Sequence, residues 1–213
     1  HGLDAQAWAA WWKESRKDFD FPPLPSVINN SAPPRVEGQD PLLAESESDR
    51  LNWGKTQFYG LPVYAKRVLF VIDCSSSMLE GNRMVTAKTE LLNAVNELDE
   101  NYQFNIVTYN QTVGAWQRQM MQASPSAKKF AARYAASIQA QASTATYDAL
   151  EVAMSHPNLE AIYLVTDGAP TAGKVIDPAA IIKAVTDANR TRRVTVNVLG
   201  IQPDLQFEAL LKA

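Results

Sequence analysis

Four short apolar runs, residues 68–72, 104–109, 161–165 and 194–199, alternate with segments whose apolar residues recur every three or four positions. A short apolar run without polar alternation is a strand covered on both faces, and a three-and-four stripe is a helix with one face inward. Strands and helices in this alternation build a parallel sheet. The expected fold class is therefore α/β: an open, doubly wound, mostly parallel sheet with helices on both faces, Rossmann-like in architecture.

The elements follow in order. After strand 68–72, Met84, Ala87, Leu91, Val95 and Leu98 mark a helical stripe that leads to strand 104–109, completing one β-α-β unit. Residues 113–120 are expected as a further strand at the sheet edge. Ser124 and Pro125 supply an N-cap and a first-turn proline for a helix with Phe130, Tyr134 and Ile138 inward. A short helix over 147–154 precedes strand 161–165, and Asp177 with Pro178 starts another helix with Ile181, Ile182 and Val185 on one side. Residues 204–213 carry Phe207, Leu210 and Leu211 as the apolar face of a last helix that is cut short.

Upstream, Asp4 caps a helix that gathers Trp8, Trp11 and Trp12 on one face, which calls for a covering partner. Pro22, Pro23, Pro25, Pro33, Pro34 and Pro41 then forbid helix and predict an extended tether, followed by the acidic stretch 45–50. The expected organisation is a helical tail over 1–20, a proline-rich linker and lead-in over 21–66, and one domain over 67–213. The chain starts at His1 with no basic, apolar leader, so it reads as a fragment or processed product of a larger multidomain protein.

Composition removes several function classes. With 20 Lys+Arg against 23 Asp+Glu the net charge is −3, which argues against a nucleic-acid binder that relies on bulk positive charge. Cys74 is the single cysteine, so no disulfide scaffold forms, and with only His1 and His156 beside it a Cys/His zinc site lacks ligands. Cys74 itself is expected as a small buried filler. No apolar run approaches the roughly 20 residues that cross a bilayer as a helix.

Ligands of open parallel sheets bind beyond the carboxyl ends of the strands. The first strand delivers Asp73, Ser75 and Ser77 there, alternate residues of one turn whose oxygens converge. The strand over 161–165 runs into Thr166-Asp167-Gly168 and brings a second carboxylate to the same edge. Thr144, in a loop before a helix, adds a hydroxyl from a third side. Such a set of hard oxygens suits Mg²⁺ or Mn²⁺. Asp73, at a strand end, is expected as a surface carboxylate whose replacement by Ala leaves the fold intact.

Asp73-x-Ser75-x-Ser77-Met78, then Thr144 followed by Asp148-Ala149-Leu150, then Thr166-Asp167-Gly168 after an apolar strand, resemble the three loops of a von Willebrand factor type A domain, the integrin I-like fold. The resemblance covers about residues 67–213. It implies a metal-ion-dependent adhesion site in which Ser75, Ser77 and Thr144 supply hydroxyls and Asp73 and Asp167 carboxylates, directly or through water. Two carboxylates leave a dication incompletely neutralised, so it stays electrophilic toward an Asp or Glu of a protein partner. The implied function is metal-dependent protein binding, not catalysis, with an extracytoplasmic or cell-surface setting favoured. A metal-free interaction module and a Mg²⁺-dependent phosphate-processing enzyme are the alternatives. The sequence departs from the family pattern at two places: Ser76 stands where a glycine is usual, and Ala142-Ser143 where two glycines precede the threonine. The lead-in, Tyr59 to Tyr64, is also similar to the approach to such domains in some large bacterial repeat proteins.

Gly168-Ala-Pro-Thr-Ala-Gly173-Lys174-Val175 fits the G-x-x-x-x-G-K part of a phosphate-binding loop. Val175 replaces the hydroxyl that would hold Mg²⁺, and Pro170 lacks an N–H to aim at phosphate, so a surface loop is expected. An aspartyl-phosphatase site would need a second carboxylate where Ser75 stands.

Overall fold

The computed structural model describes residues 55–201. The tryptophan-bearing helix, the proline-rich tether and the helix over 204–213 lie outside the described residues.

A hairpin of β1 (Gln57–Phe58) and β2 (Leu61–Pro62) leads into β3 (Arg67–Asp73), and a turn of 3₁₀ character (Ser76–Asn82) into α1 (Arg83–Glu97). The chain continues through β4 (Gln103–Tyr109), β5 (Val113–Ala115), β6 (Met121–Gln122), α2 (Pro125–Ser137), α3 (Thr146–Ser155), β7 (Ala161–Thr166), α4 (Pro178–Asn189) and β8 (Thr195–Gly200). The main sheet runs β5-β4-β3-β7-β8, with β6 also on β4. β4, β3, β7 and β8 are parallel, with Val68 opposite both Phe104 and Ala161. The order reverses around β3, so the carboxyl ends of β3 and β7 flank the switch point where ligands of such sheets bind.

Alternation along β3 divides the core. Phe70 and Ile72 face α1, α2 and the hairpin, in one cluster with Leu91, Val95, Ala131 and Phe58. Leu69 and Val71 face the other way, in a cluster with Ala149, Leu150, Ala153 and Ile181 of α3 and α4. Helices therefore cover both faces, as the doubly wound expectation required.

Three local expectations fail. α2 turns Ala127, Ala131 and Ala135 inward; of the expected trio, Ile138 at its end is buried and Tyr134 packs half-buried against the core, but Phe130 is 54% exposed. Both sets fit helical spacing, and the small alanines admit the closer approach; Phe130 instead lies under the Arg133 guanidinium, 5.8 Å from its ring centre. On α4, Ile181 is buried but Ile182 is exposed, since one residue turns a side chain about 100° around the axis. Of the edge strand expected over 113–120 only β5 forms, and a second short piece, β6, follows just beyond that span, both antiparallel to β4. The buried Asn105 side chain separates them: its Nδ2 donates to the Gln117 carbonyl at 2.7 Å and its Oδ1 accepts from the Gln117 N–H at 3.2 Å. These bonds occupy backbone groups that would otherwise continue the ladder.

The helix starts follow their sequence signals. Ser124 Oγ accepts from the Ala127 N–H and Asp177 Oδ2 from the Ala180 N–H, each cap preceding a first-turn proline.

Candidate functional site

The Asp73 carboxylate is fully buried. Its Oδ1 accepts from the Ser75 N–H at 2.8 Å, and its Oδ2 accepts from the hydroxyls of Thr166 at 2.8 Å and Tyr109 at 3.3 Å. Asp73 stands opposite Tyr109 in the β3–β4 register, so adjacent strand ends deliver donor and acceptor together. Burial pushes the Asp73 carboxyl above its ordinary range and the nearby Asp167 charge adds to this, while the Ser75 and Thr166 hydrogen bonds oppose it. Burial, followed by the Asp73 charge, also raises the Tyr109 phenol well above its usual value, so it stays protonated and can donate. The expectation of a surface carboxylate at Asp73 is therefore wrong. Asp73→Ala would leave buried donors without an acceptor, and Asp73→Asn is the fairer probe of the site.

From Asp73 the polar chain continues outward. Ser75 Oγ lies 3.1 Å from Ser77 Oγ, and Ser77 Oγ donates to Asp167 Oδ1 at 2.9 Å. The other oxygen, Asp167 Oδ2, accepts from Arg83 Nη1 at 2.9 Å, and the same nitrogen donates to the Ser77 carbonyl at 3.2 Å. Four of the five expected residues thus join in one hydrogen-bonded set at the ends of β3 and β7.

Thr144, the fifth, is buried in a loop that the backbone pins to the same turn. The Gln141 N–H donates to the Cys74 carbonyl at 2.8 Å and the Ser76 N–H to the Ala142 carbonyl at 3.0 Å. The far side of Thr144 is clamped by the glycine-containing loop over 168–175: the Thr171 and Ala172 N–H groups donate to its carbonyl, and its own N–H donates to Thr171 Oγ1. The Lys174 N–H turns to the Asp148 carboxylate. These backbone donors serve the protein rather than a phosphate, which disposes of the phosphate-loop likeness. Gly173 holds φ +98, and a Cβ there would stand 2.5 Å from Asp148 Oδ2. Gly173→Ala is expected to cost about 1–2 kcal/mol through the left-handed backbone and that clash, and to loosen Thr144; urea denaturation measures the first.

The two departures from glycine behave differently. Ser76 lies in the 3₁₀ turn without a positive φ, so nothing there requires glycine. Ala142 is held at φ 63, a left-handed backbone that disfavours any Cβ. Ala142→Gly is expected to stabilise the domain by about 0.5–1 kcal/mol, read as a higher urea midpoint with unchanged slope.

Sequence reasoning assigns no role to Tyr109, Thr166 or Arg83, although Thr166 stands in the loop motif that it singles out. The first two sit at strand ends beside Asp73, where the switch-point rule could have found them. Arg83 carries no such signal, because it opens α1 and meets Asp167 only through the fold. Cys74 is buried and its thiol is pushed up to about 12, chiefly by burial and then by Asp73, so it is an inert filler as expected.

The model of the von Willebrand factor type A domain matches residues 66–212. Human inter-alpha-trypsin inhibitor heavy chain H6 is 34% identical over 166 residues, 71% of this chain and 12% of that protein. Human heavy chain H4 is 29% identical, over 72% of this chain and 17% of its own length. The chain thus spans under a fifth of these relatives. Among solved structures, a von Willebrand factor type A protein from Catenulispora acidiphila superposes with a TM-score of 0.59 at 21% identity, covering 71% of this chain and 37% of that one, a likeness of fold. Domains of this kind are protein-interaction and adhesion modules rather than enzymes, and they commonly bind a divalent metal. The alternating strands, the switch point at β3 and the matched residues lead to one conclusion: the chain belongs to the von Willebrand factor type A domain family.

Proposed function

We propose that this domain binds a protein partner through a divalent cation, Mg²⁺ or Mn²⁺, held by Ser75, Ser77 and Thr144 with Asp73 and Asp167, and completed by an Asp or Glu of the partner. The observation that carries the reading is one hydrogen-bonded set at the strand ends, in which Asp73 Oδ1 accepts from the Ser75 N–H, Ser75 Oγ meets Ser77 Oγ, and Ser77 Oγ donates to Asp167. Hydroxyls and carboxylates without sulfur or imidazole are the donors that these hard cations take. A cation there would supply a positive centre that an external carboxylate can complete. Asp73, fixed by Tyr109 and Thr166, would hold the serine turn in place, and the loop from Gln141 to Thr144 would close the third side.

The extracytoplasmic or cell-surface setting belongs to the same proposal, as does membership of a larger multidomain protein. Among the described residues no helix is long and apolar enough to cross a membrane.

Calorimetric titration of EDTA-stripped protein with Mg²⁺ and Mn²⁺, alongside Asp73→Asn and Asp167→Asn, tests the reading. Saturable binding that both variants lose supports it; binding unchanged in both would move the metal elsewhere. A metal-free interaction module is the second reading, favoured by the Arg83 guanidinium already on Asp167, and it predicts no saturable binding in the wild type.

A further inference from the structure

The Asp167 carboxylate is shared between two groups of different character, Ser77 Oγ on Oδ1 and the Arg83 guanidinium on Oδ2. The pair is nearly dry: the Asp167 side chain is 1% exposed and that of Arg83 17%. Buried carboxylates are tolerated when a counter-charge stands against them, and a guanidinium supplies one that does not titrate in proteins. Arg83 therefore already does for Asp167 what a bound dication would do.

We propose that Arg83 is a resident cation that competes with the divalent metal for Asp167, so that metal affinity is set by exchange between the two. The inference rests on the metal-binding reading given under Proposed function.

The local backbone shows how the exchange can proceed. Glu80 leaves helical geometry at ψ 148, Gly81 and Asn82 follow with left-handed φ of 53 and 62, and Arg83 then opens α1. This kink lets the Arg83 side chain reach back across the serine turn. The Glu80 carboxylate lies 3.7 Å from Arg83 Nη1 and is 75% exposed, so it offers the guanidinium a second anionic partner when a metal takes Asp167. Metal entry would then be coupled to the turn between Ser77 and Arg83 and to the start of α1.

The competition has a sign and a size. A doubly charged ion drawing on Ser77 and Asp167 would have to turn the Arg83 guanidinium out toward Glu80 or bind beside it, and the lost ion pair or the repulsion opposes binding. Removing that charge while keeping a polar side chain should tighten metal binding at least about tenfold, even after solvent screening. It should also weaken the metal-free fold, since a buried carboxylate loses its counter-charge, and the metal should restore what is lost.

The test uses the full chain as wild type, Arg83→Gln and Arg83→Lys, stripped with EDTA, with Mn²⁺ and Mg²⁺ affinity read by calorimetry and melting followed with and without metal. The expected result is at least about tenfold tighter binding in Arg83→Gln, wild-type-like affinity in Arg83→Lys, and a larger metal-induced rise in melting temperature for the Gln variant. Saturable binding in Arg83→Gln but not in the wild type would support the proposal in its strongest form. Wild-type binding with equal or weaker binding in Arg83→Gln overturns the competition and leaves the metal site standing. Binding in none of the three overturns both. Should Arg83→Gln lose its fold in EDTA, refolding on Mn²⁺ addition, followed by circular dichroism, supports the exchange; failure of the metal to rescue it overturns the exchange.

Discussion

Asp73→Asn is expected to abolish Mg²⁺ and Mn²⁺ binding, by at least about a hundredfold, while leaving the metal-free domain at least as stable as the wild type in EDTA at neutral pH. The first half follows from its place in the proposed ligand set, the second from the complete burial of this carboxylate. Its negative charge is costly in the metal-free protein, which is why its carboxyl titrates above the ordinary range. An amide keeps an oxygen for the Ser75 N–H, and the Thr166 and Tyr109 hydroxyls can rotate to accept from its nitrogen. Thr166 has the Gly168 carbonyl, 3.1 Å away, as an alternative acceptor for its own proton.

The pH dependence carries the same sign. The folded chain holds the Asp73 proton more tightly than the unfolded chain, so protonation favours the fold. The contribution of this group to metal-free stability is most favourable below the ordinary carboxylate range and declines as pH rises through the raised native pKa. That decline should be absent from Asp73→Asn, and urea midpoints of both proteins in EDTA across pH measure it. If Asp73→Asn bound metal like the wild type, the site would be misplaced; if it unfolded, the charge at Asp73 would be structural.

Phe58→Ala is expected to destabilise the domain by about 3–5 kcal/mol, a large share of the 5–15 kcal/mol typical of a single domain. Phe58 precedes Arg67, yet it is fully buried. Its ring meets Phe70 edge-on at 4.9 Å and Tyr163 at 5.8 Å, one from each central strand. The hairpin that carries it turns through Tyr59 and Gly60, both with left-handed φ, as a two-residue turn of type I′ requires. It is tied down by the Tyr163 hydroxyl donating to the Pro62 carbonyl at 3.0 Å and by Thr56 Oγ1 donating to the Glu97 carbonyl at 3.1 Å. Urea unfolding checks the figure. A loss below about 1 kcal/mol would mean that the hairpin frays independently of the core.

The hairpin also shows where sequence periodicity stops being informative. Two strands of two residues each are too short to show alternation, so Phe58 and Val63 were legible only as a lead-in, and the core they join becomes visible only when Phe70 and Tyr163 are placed side by side. On α2 the sequence shows the period but leaves the rotation open, because Phe130 and Ala131 each fit a three-and-four stripe and only the available space against α1 chooses between them. Asn105 reads as one polar residue in an apolar strand, with nothing local to say that it splits the edge strand in two.

The candidate site divides in the same way. Asp73, Ser75, Ser77, Thr144 and Asp167 were legible because each lies directly after a strand or before a helix, and an open parallel sheet gathers those positions at one edge. Their burial and their partners were not legible. Neighbours a few positions apart are enough to set the alternation of strands and helices, the caps of α2 and α4, and which polar residues follow the strands at the carboxyl edge. Tertiary structure alone decided that Asp73 is dry, that Phe58 belongs to the core, and that Arg83 meets Asp167 across 84 positions of chain. Charge pairing and desolvation depend on distances between atoms far apart in sequence, and only the crossovers of the folded sheet set those distances.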